Sequence, residues 1–436
     1  MRENQIDILN QVIEQELCTG CGLCTVQNSQ PVFPMKWDKK GFLIPSLVGM
    51  KEIPDLCTKV CPFNPFPDKE VRTENELADL FLTNTPNDHP QIGHYFNTYA
   101  GYSDTYRLTS SSGGIAYLIA NLLNEQVVDA VFVVKESSSQ YAHYEYGIIH
   151  TIEEAVSASK TKYYPVTLAD VMKELPNIKG KVAIVGVACF IKAIRLHQYY
   201  HPELKEKIAF LIGIICGGMK SRFFAEYLAG KAGVDTRQFF HPQFRIKNTS
   251  SAASDYSYAC TDLKGESHNV RMYSVGDMWG TGMFKNNACD FCDDVTTELA
   301  DISLGDAWMN PYKYKLDGKG TNVIVTRSKL AENIIQKGIL SGDLKISPLS
   351  LDIFLASQQG RFNHRHKAMG YRIRKVKKKN ILIPPKRYEK EKIPIEFQWV
   401  QNWRMKIRKQ SLDAWNERIS SNAFDLRLCN SLSWLR

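Results

Sequence analysis

The stretch Lys181-Val-Ala-Ile-Val-Gly-Val-Ala-Cys189 has the same pattern as a later one, Ile208-Ala-Phe-Leu-Ile-Gly-Ile-Ile-Cys216-Gly-Gly218. Each begins with an apolar, β-branched run that predicts a buried strand, and each ends in a cysteine among small residues that allow a tight turn. Helices are predicted after both turns, over Ile191 to His197 and Phe223 to Ala229. The alternation predicts an α/β domain with both cysteines at the carboxyl ends of strands, where open sheets bind their ligands.

Another set of cysteines opens the chain as Cys18-x2-Cys21-x2-Cys24 and is answered by Cys57-x3-Cys61-Pro62. Bacterial ferredoxins hold 4Fe-4S clusters with the run Cys-x2-Cys-x2-Cys-x3-Cys-Pro, whose fourth cysteine serves the other cluster of a two-cluster fold. Gly20 and Gly22 suit a loop that wraps sulfurs, because they have no Cβ. The spacing therefore predicts a ferredoxin-like iron-sulfur segment.

Three positions of the two-cluster pattern lack their cysteine and hold Asn28, Lys51 and Pro54. Under crossed ligation, only one cluster keeps four thiolates, and Cys57 is left over. The predicted ligands are Cys18, Cys21, Cys24 and Cys61. The alternative is a structural zinc site, although such sites usually contain two Cys-x2-4-Cys knuckles.

Cys289-x2-Cys292 can complete a four-thiolate site with Cys189 and Cys216. Taken singly, Cys189 and Cys216 are also compatible with ordinary buried core cysteines. The combination with a Cys-x2-Cys pair favours a second cluster. The odd total of eleven cysteines argues against a complete disulfide framework.

The 436 residues predict two or three domains. The first ten residues lack an apolar signal core, and the longest apolar stretch, 208–216, is too short to span a bilayer. We therefore expect a cytoplasmic protein, in which cysteines serve as metal ligands or redox groups.

The net charge of +9 is unevenly distributed. Residues 361–409 contain 17 Lys and Arg against three Glu, a net of +14, which leaves −5 for the rest of the chain. Aromatic and aliphatic residues from Phe397 to Ile419 predict an amphipathic helix in this region. The helix can pack on the body, or it can dock on an anionic membrane surface or an acidic protein. No motif for sequence-specific nucleic-acid binding is present.

Two further motifs favour an anionic, flat cofactor. Ser110-Ser-Ser-Gly-Gly114 runs into a helix predicted from Ile115 to Leu123, and exposed N-H groups at a helix start attract phosphate. An ordinary serine N-cap explains the same residues. Ser159-Lys-Thr-Lys-Tyr163 combines lysines, hydroxyls and an aromatic ring, a composition suited to a diphosphate and a ring system. Val127 to Lys135 is predicted as a strand.

These motifs occur in a fixed order: Cys18-x2-Cys21-x2-Cys24, Ser110-Ser-Ser-Gly-Gly114, Ser159-Lys-Thr-Lys-Tyr163, Gly186-Val-Ala-Cys189, Cys216-Gly-Gly218, Cys289-Asp-Phe-Cys292 and Ala300-Asp-Ile-Ser-Leu-Gly-Asp306. Over residues 15 to 355 the order resembles the family of coenzyme F420 hydrogenase and dehydrogenase beta subunits. The resemblance implies an iron-sulfur flavoprotein oxidoreductase. Its implied inner-cluster ligands are Cys189, Cys216, Cys289 and Cys292, and the residues implied at or near FAD or FMN are Ser111, Gly113, Gly114, Lys160, Lys162 and Tyr163.

The expected organisation is a ferredoxin-like 4Fe-4S domain (1–67), a polar linker (68–98), a flavin- and cluster-binding α/β domain (99–358) and a basic, partly helical extension (359–436). The chain departs from the family pattern in its Gly-Val-Ala-Cys turn, where Gly-Thr-Pro-Cys is common, and the basic extension lies outside the shared region. Asp301 and Asp306 are candidates for the pocket mouth, although Asp306 equally suits a turn.

The expected reaction passes electrons between 4Fe-4S clusters and a hydride donor or acceptor at the flavin, because a flavin exchanges electrons in pairs or singly. The hydride partner can be coenzyme F420 or another carrier, and a redox partner protein is expected. Two other classes remain open: a ferredoxin-type electron-carrier module without its own substrate, and a zinc-stapled binding protein.

Overall fold

A computed structural model describes residues 5–27, 29–139, 141–312, 318–417 and 420–433. Asn28 and Ile419 lie outside these ranges. The strands are β1 Val26–Gln27, β2 Gln30–Pro31, β3 Met35–Trp37, β4 Leu43–Pro45, β5 Asn87–His89, β6 Gly93–Tyr95, β7 Thr98–Ser103, β8 Ala130–Glu136, β9 Tyr144–Ile149, β10 Val182–Val187, β11 Ile208–Ile214, β12 Phe240–Ile246, β13 Ser257–Thr261, β14 Ser267–Arg271, β15 Ile302–Asp306, β16 Asn322–Thr326 and β17 Leu344–Pro348.

The helices connect and cover these strands. They are α1 Gln5–Glu14, α2 Asp55–Lys59, α3 Glu74–Phe81, α4 Gly114–Asn124, α5 Ile152–Ala158, α6 Ala169–Glu174, α7 Ala188–Tyr200, α8 Leu204–Lys207, α9 Phe223–Lys231, α10 Met272–Val275, α11 Lys329–Ser341, α12 Leu351–Ser357, α13 Gln359–Phe362, α14 Met369–Lys377, α15 Ile395–Asn416 and α16 Ser421–Ser433. A π-helical turn, Asn363–Lys367, joins α13 to α14. No helix among the described residues is both long and apolar enough to cross a membrane.

The principal sheet has eight strands in the order β17-β7-β16-β15-β11-β10-β8-β9. Its central strands β8, β10, β11 and β15 are parallel, and antiparallel pairs extend it on both sides. Parallel strands buried on both faces are typically continuous apolar runs, as the two opening stretches are. The predicted α/β class and the predicted strand-helix pairs β10-α7 and β11-α9 are confirmed.

The segment 68–98, expected as a polar linker, contains regular structure. Helix α3 begins with a capping box between Thr73 and Glu76, and its Leu77 and Ala78 are buried. The hairpin of β5 and β6 follows, and Ile92 in the turn that connects the two strands is buried. This segment therefore packs between the N-terminal part and the sheet.

The predicted amphipathic helix is α15, and its two halves differ. Ile407, Leu412 and Trp415 in the second half are buried in an apolar cluster with α9 and α16. In the first half, Trp399 is 56% exposed. Packing on the body thus accounts for the second half of the helix.

Candidate iron-sulfur and cofactor site

The four predicted N-terminal cysteines converge, and we call them the N-terminal quartet: Cys18, Cys21, Cys24 and Cys61. Burial raises the thiol pKa of Cys24 well above its usual range, and Cys21, Cys61 and Cys18 add to the shift, in that order. Gly20 N donates to Cys18 Sγ at 3.4 Å, and Gly20 and Gly22 both have positive φ. The glycines therefore turn the loop around the sulfurs as predicted.

Cys57 is a buried neighbour of this group. It adds less to the raised pKa of Cys24 than Cys21, Cys61 and Cys18 do. Burial raises the pKa of Cys57 itself to about 12, and Gln27 is the side chain that opposes this shift. Burial also raises the pKa of Cys61 to about 12, with Cys21 adding to it. Cys61 remains the predicted fourth member, with Cys57 left over.

The other predicted cysteines form an inner quartet, Cys189, Cys216, Cys289 and Cys292, from three separate segments. Cys189 lies in the first turn of α7, and Cys216 follows β11. Cys289 lies in a short 3-10 helix, Asn287–Phe291, whose first turn is capped by the side chain of Asn286. Backbone N-H groups approach two of the sulfurs: Gly218 N donates to Cys216 Sγ at 3.3 Å, and Met219 N donates to Cys289 Sγ at 3.2 Å.

The two quartets are neighbours. Burial raises the pKa of Cys189 well above its usual range, and Cys21 adds to the shift together with the other three inner cysteines. Asn286, which precedes the Cys289 turn, donates through Nδ2 to the carbonyl of Cys18 at 3.0 Å. A single apolar cluster contacts Cys18 and Cys61 of the N-terminal quartet and Cys189 and Cys292 of the inner quartet.

The sulfurs of the quartets are more widely spaced than a single tetrahedral zinc ion requires. Tetrahedral ligation of one Zn²⁺, with Zn-S bonds of about 2.3 Å, places ligand sulfurs about 3.8 Å apart. Among the described residues, no three cysteine sulfurs lie within 4.8 Å of one another, and all eleven cysteines are free thiols. A cubane holds its thiolates further apart, because each thiolate binds a different iron. Buried thiols with raised pKa values also need a bound cation to become thiolates.

The two predicted cofactor motifs meet at the start of α4. Ser111 Oγ and Thr161 Oγ1 are 2.7 Å apart. Gly113 has φ of 87°, and Gly114 N donates to Asn322 Oδ1 at 3.3 Å. The Ser112 hydroxyl is buried and has no hydrogen-bond partner among the described residues. An unpaired hydroxyl beside a helix start is compatible with a bound anion.

The lysines and the tyrosine of the second motif have different surroundings. Lys160 Nζ is exposed and donates to Gln243 Oε1 at 3.1 Å. Lys162 donates to the carbonyl of Ala158, and burial lowers its pKa to about 7, with Lys160 adding to the shift. An anionic group beside Lys162 would therefore favour its charged form.

Tyr163 lies in an aromatic site that sequence reasoning did not find. Its ring centroid is 4.7 Å from that of Trp279, in an edge-to-face arrangement. A Cβ on Gly217 would lie 3.5 Å from the Trp279 ring. The indole therefore contacts Tyr163 and also lies next to the turn that carries Cys216. No local motif marks Trp279, because only tertiary folding brings residue 279 to these two segments.

Of the two candidate aspartates, only Asp306 lies near this aromatic site. Arg245 Nη1 donates to both carboxylate oxygens of Asp306, each at 2.9 Å. Asp301 instead accepts hydrogen bonds from Leu211 N and Arg195. Asp301 therefore links strand β11 to helix α7.

Buried charges, which were not expected from the sequence, surround the inner quartet. Lys386 pairs with Asp293 at 3.4 Å, Arg387 with Glu298 at 2.6 Å, and Lys285 with Asp290 at 2.6 Å. Lys386 and Arg387 come from the basic extension, for which docking on an anionic membrane surface or an acidic protein was one expected alternative, beside packing on the body. Part of that charge is instead buried in ion pairs with the body.

Family models match the two halves of the main domain. The model for the coenzyme F420 hydrogenase/dehydrogenase beta subunit N-terminus matches residues 98–173, and the model for the C-terminus matches residues 179–351. These ranges lie inside the span of 15 to 355 indicated by the motifs.

Individual relatives agree at low identity. The chain is 23% identical to the beta subunit of coenzyme F420 hydrogenase of Methanosarcina barkeri over 60% of this chain and 84% of that protein. It is 22% identical to one of the subunits of the F(420)H(2) dehydrogenase of Methanosarcina mazei over 68% of this chain and 77% of the relative. It is also 22% identical to the coenzyme F420-dependent sulfite reductase of Methanocaldococcus jannaschii over 68% of this chain, but the match spans only 43% of that enzyme.

A solved structure shows the same fold. One chain of the F420-reducing [NiFe] hydrogenase complex from Methanosarcina barkeri superposes with a TM-score of 0.52 at 18% identity, over 69% of this chain and 98% of the other. The two family models together match more than half of the residues. The protein therefore belongs to the family of coenzyme F420 hydrogenase/dehydrogenase beta subunits.

Proposed function

We propose that this chain is an iron-sulfur flavoprotein oxidoreductase subunit, which exchanges electrons between a hydride carrier and two 4Fe-4S clusters. The observation that carries the proposal is the pair of buried cysteine quartets, which approach each other at Cys21 and Cys189. Two clusters held side by side in one protein interior suit the transfer of single electrons between them, because neither cluster has to dissociate from its ligands.

The proposal gives each group of residues a role. When bound, a flavin exchanges a hydride on one side and single electrons with 4Fe-4S clusters on the other. The N-terminal and inner quartets hold the clusters, and Ser111, Gly113 and Gly114 bind an anionic part of the flavin at the start of α4. Lys162 offers a cation for the same anionic part. Tyr163 and Trp279 exclude water beside the Cys216 turn.

Coenzyme F420 is the hydride carrier that we propose, because all three relatives carry it in their names. We also propose that the chain works with other subunits, as the solved neighbour belongs to a hydrogenase complex. An F420-dependent activity is tested by anaerobic oxidation of reduced F420 with a one-electron acceptor dye, with NADH as the comparison donor.

The first test is an anaerobic visible spectrum, with iron, sulfide, zinc and flavin measured on one sample. We expect about eight iron atoms and one flavin per chain, with broad charge-transfer absorption. Eight iron atoms without flavin would instead support an electron-carrier module. Zinc without colour would overturn the redox proposal.

A further inference from the structure

The π-helical turn Asn363–Lys367 aims three consecutive basic side chains into the protein: His364, Arg365 and His366 are all buried. Single π turns are rare and occur frequently at functional sites. This turn lies beyond residue 351, where the matched family model ends. The basic extension therefore places some of its basic side chains in the protein interior, towards the inner quartet.

Arg365 makes direct contact with two members of that quartet. Its Nη1 donates to Cys292 Sγ at 3.3 Å, and its Nη2 donates to the carbonyl of Cys216 at 2.9 Å. Nη1 also donates to the carbonyl of Asp294. The side chain is buried, so water does not screen these contacts.

The outer residues of the turn have other partners. His364 Nε2 is 3.0 Å from Lys285 Nζ, and His366 Nε2 is 2.7 Å from the carbonyl of Asp293. The His366 ring also stacks on Tyr388, with centroids 3.8 Å apart. These contacts fix the turn on both sides and hold the Arg365 guanidinium against the sulfur.

The hydrogen bonds of Arg365 end on carbonyl oxygens and a sulfur, whereas Lys386, Arg387 and Lys285 each face a carboxylate. A buried cation is costly unless a nearby negative charge compensates it. Thiolates at the inner quartet would supply that negative charge next to the guanidinium. Arg365 is therefore matched to a ligated, charged form of the quartet.

We propose that Arg365 raises the reduction potential of the inner cluster and holds Cys216 and Cys292 in position. The inference rests on the proposed function, which places a 4Fe-4S cluster on these cysteines. Reduction adds one electron to a group that four thiolates already make negative. A fixed cation and an N-H donor to sulfur stabilise that extra charge, which favours the reduced form.

The test is an anaerobic redox titration of the full chain followed by electron paramagnetic resonance. The inner-cluster signal is assigned by its loss in Cys289→Ser. Arg365→Gln removes the charge, Arg365→Lys keeps it but loses the planar fork, and Lys378→Gln removes an exposed charge from the same extension. At the unaltered protein's midpoint potential, we expect Arg365→Gln to lower the ratio of reduced to oxidised inner cluster at least tenfold, which is 59 mV for one electron.

In Arg365→Lys, the ratio of reduced to oxidised inner cluster is expected to stay within tenfold of that in the unaltered protein. Lys378→Gln is expected to leave this ratio unchanged. If the ratio falls equally in Lys378→Gln, or does not fall in Arg365→Gln, this inference is overturned while the proposed function stands. If Arg365→Gln loses the inner cluster, the iron content and the redox titration of Arg365→Lys decide between the outcomes. If Arg365→Lys retains its iron and its ratio of reduced to oxidised inner cluster stays within tenfold of that of the unaltered protein, the inference is supported. Loss of iron from Arg365→Lys overturns it. An unaltered protein without an inner cluster overturns both this inference and the proposed function.

Discussion

The two cysteine quartets reach a similar burial by different routes. Three members of the N-terminal quartet lie in one loop, 18–24, whereas the inner quartet draws on α7, the turn after β11 and the segment 289–292. A local loop can surround sulfurs with its own N-H groups. A site assembled from distant segments depends on the fold to bring its parts together.

Their electrostatic surroundings also differ. Arg365 contacts the inner quartet, and Lys386 lies in the same charged group. At the N-terminal quartet, Lys192 lowers the pKa of Cys61 only weakly, and it pairs with Glu74 at 3.0 Å. Similar sets of cysteines thus lie in different electrostatic surroundings, which are set by the charges that the rest of the chain supplies.

Cysteine replacement tests whether the two quartets hold separate clusters. We expect Cys61→Ser and Cys289→Ser each to remove about four iron atoms per chain, because each takes one ligand from a different quartet. Cys57→Ser is the matched control and should keep all the iron. Iron analysis of anaerobic protein decides, and iron loss in Cys57→Ser would contradict the crossed ligation.

Lys386→Met tests whether the charges around the inner quartet support the fold. Asp293 is buried and would lose one of its cationic partners, so we expect the free energy of unfolding to fall by about 3 kcal/mol. Lys377→Met is the control, because Lys377 faces Glu389 at the same 3.4 Å but in an exposed pair. That change should stay within about 0.5 kcal/mol. Anaerobic urea denaturation measures both, and equal losses would contradict the prediction.

Gly22→Ala tests how the N-terminal quartet packs on the body. Gly22 has φ of 83°, and a Cβ there would collide with the Thr167 hydroxyl and lie 2.9 Å from Ala169 N. Gly49 has a similar φ of 80° with no atom within 4 Å of its Cβ position. We expect Gly22→Ala to cost about 2 kcal/mol more than Gly49→Ala, because only the first adds a collision to the backbone strain. Equal unfolding midpoints would show that the junction yields.

Acid should weaken helix α7, which carries Cys189 at one end and His197 near the other. Burial lowers the pKa of His197 to about 3, and His201 adds to the shift. The unfolded chain therefore binds a proton below about pH 6.5 that the folded chain excludes, so stability is full above that pH and falls towards pH 3. We expect a loss of about 2 kcal/mol by pH 5. His197→Leu should have a shallower slope in urea unfolding across this range, and an unchanged slope would contradict the assignment.

The spacing and apolar runs were enough to predict the strands that end at Cys189 and Cys216, because those signals are local. They were not enough to place Arg365 or Lys386, whose basic neighbours suggested an outer surface. Buried Phe362, Met369 and Ile373 recur between those basic residues at helical spacing, and this signal could have indicated a packed segment. Trp279 gave no such signal, since its neighbours come from distant parts of the chain.

The late position of Arg365 and Lys386 has a consequence for the order of assembly. All four members of the N-terminal quartet have been synthesised by residue 61, and all four of the inner quartet by residue 292. A growing chain that has reached residue 358 thus carries every proposed ligand but lacks the segment that covers Cys292 and pairs with Asp293. Enclosure of the inner site therefore has to follow the synthesis of all eight proposed ligands.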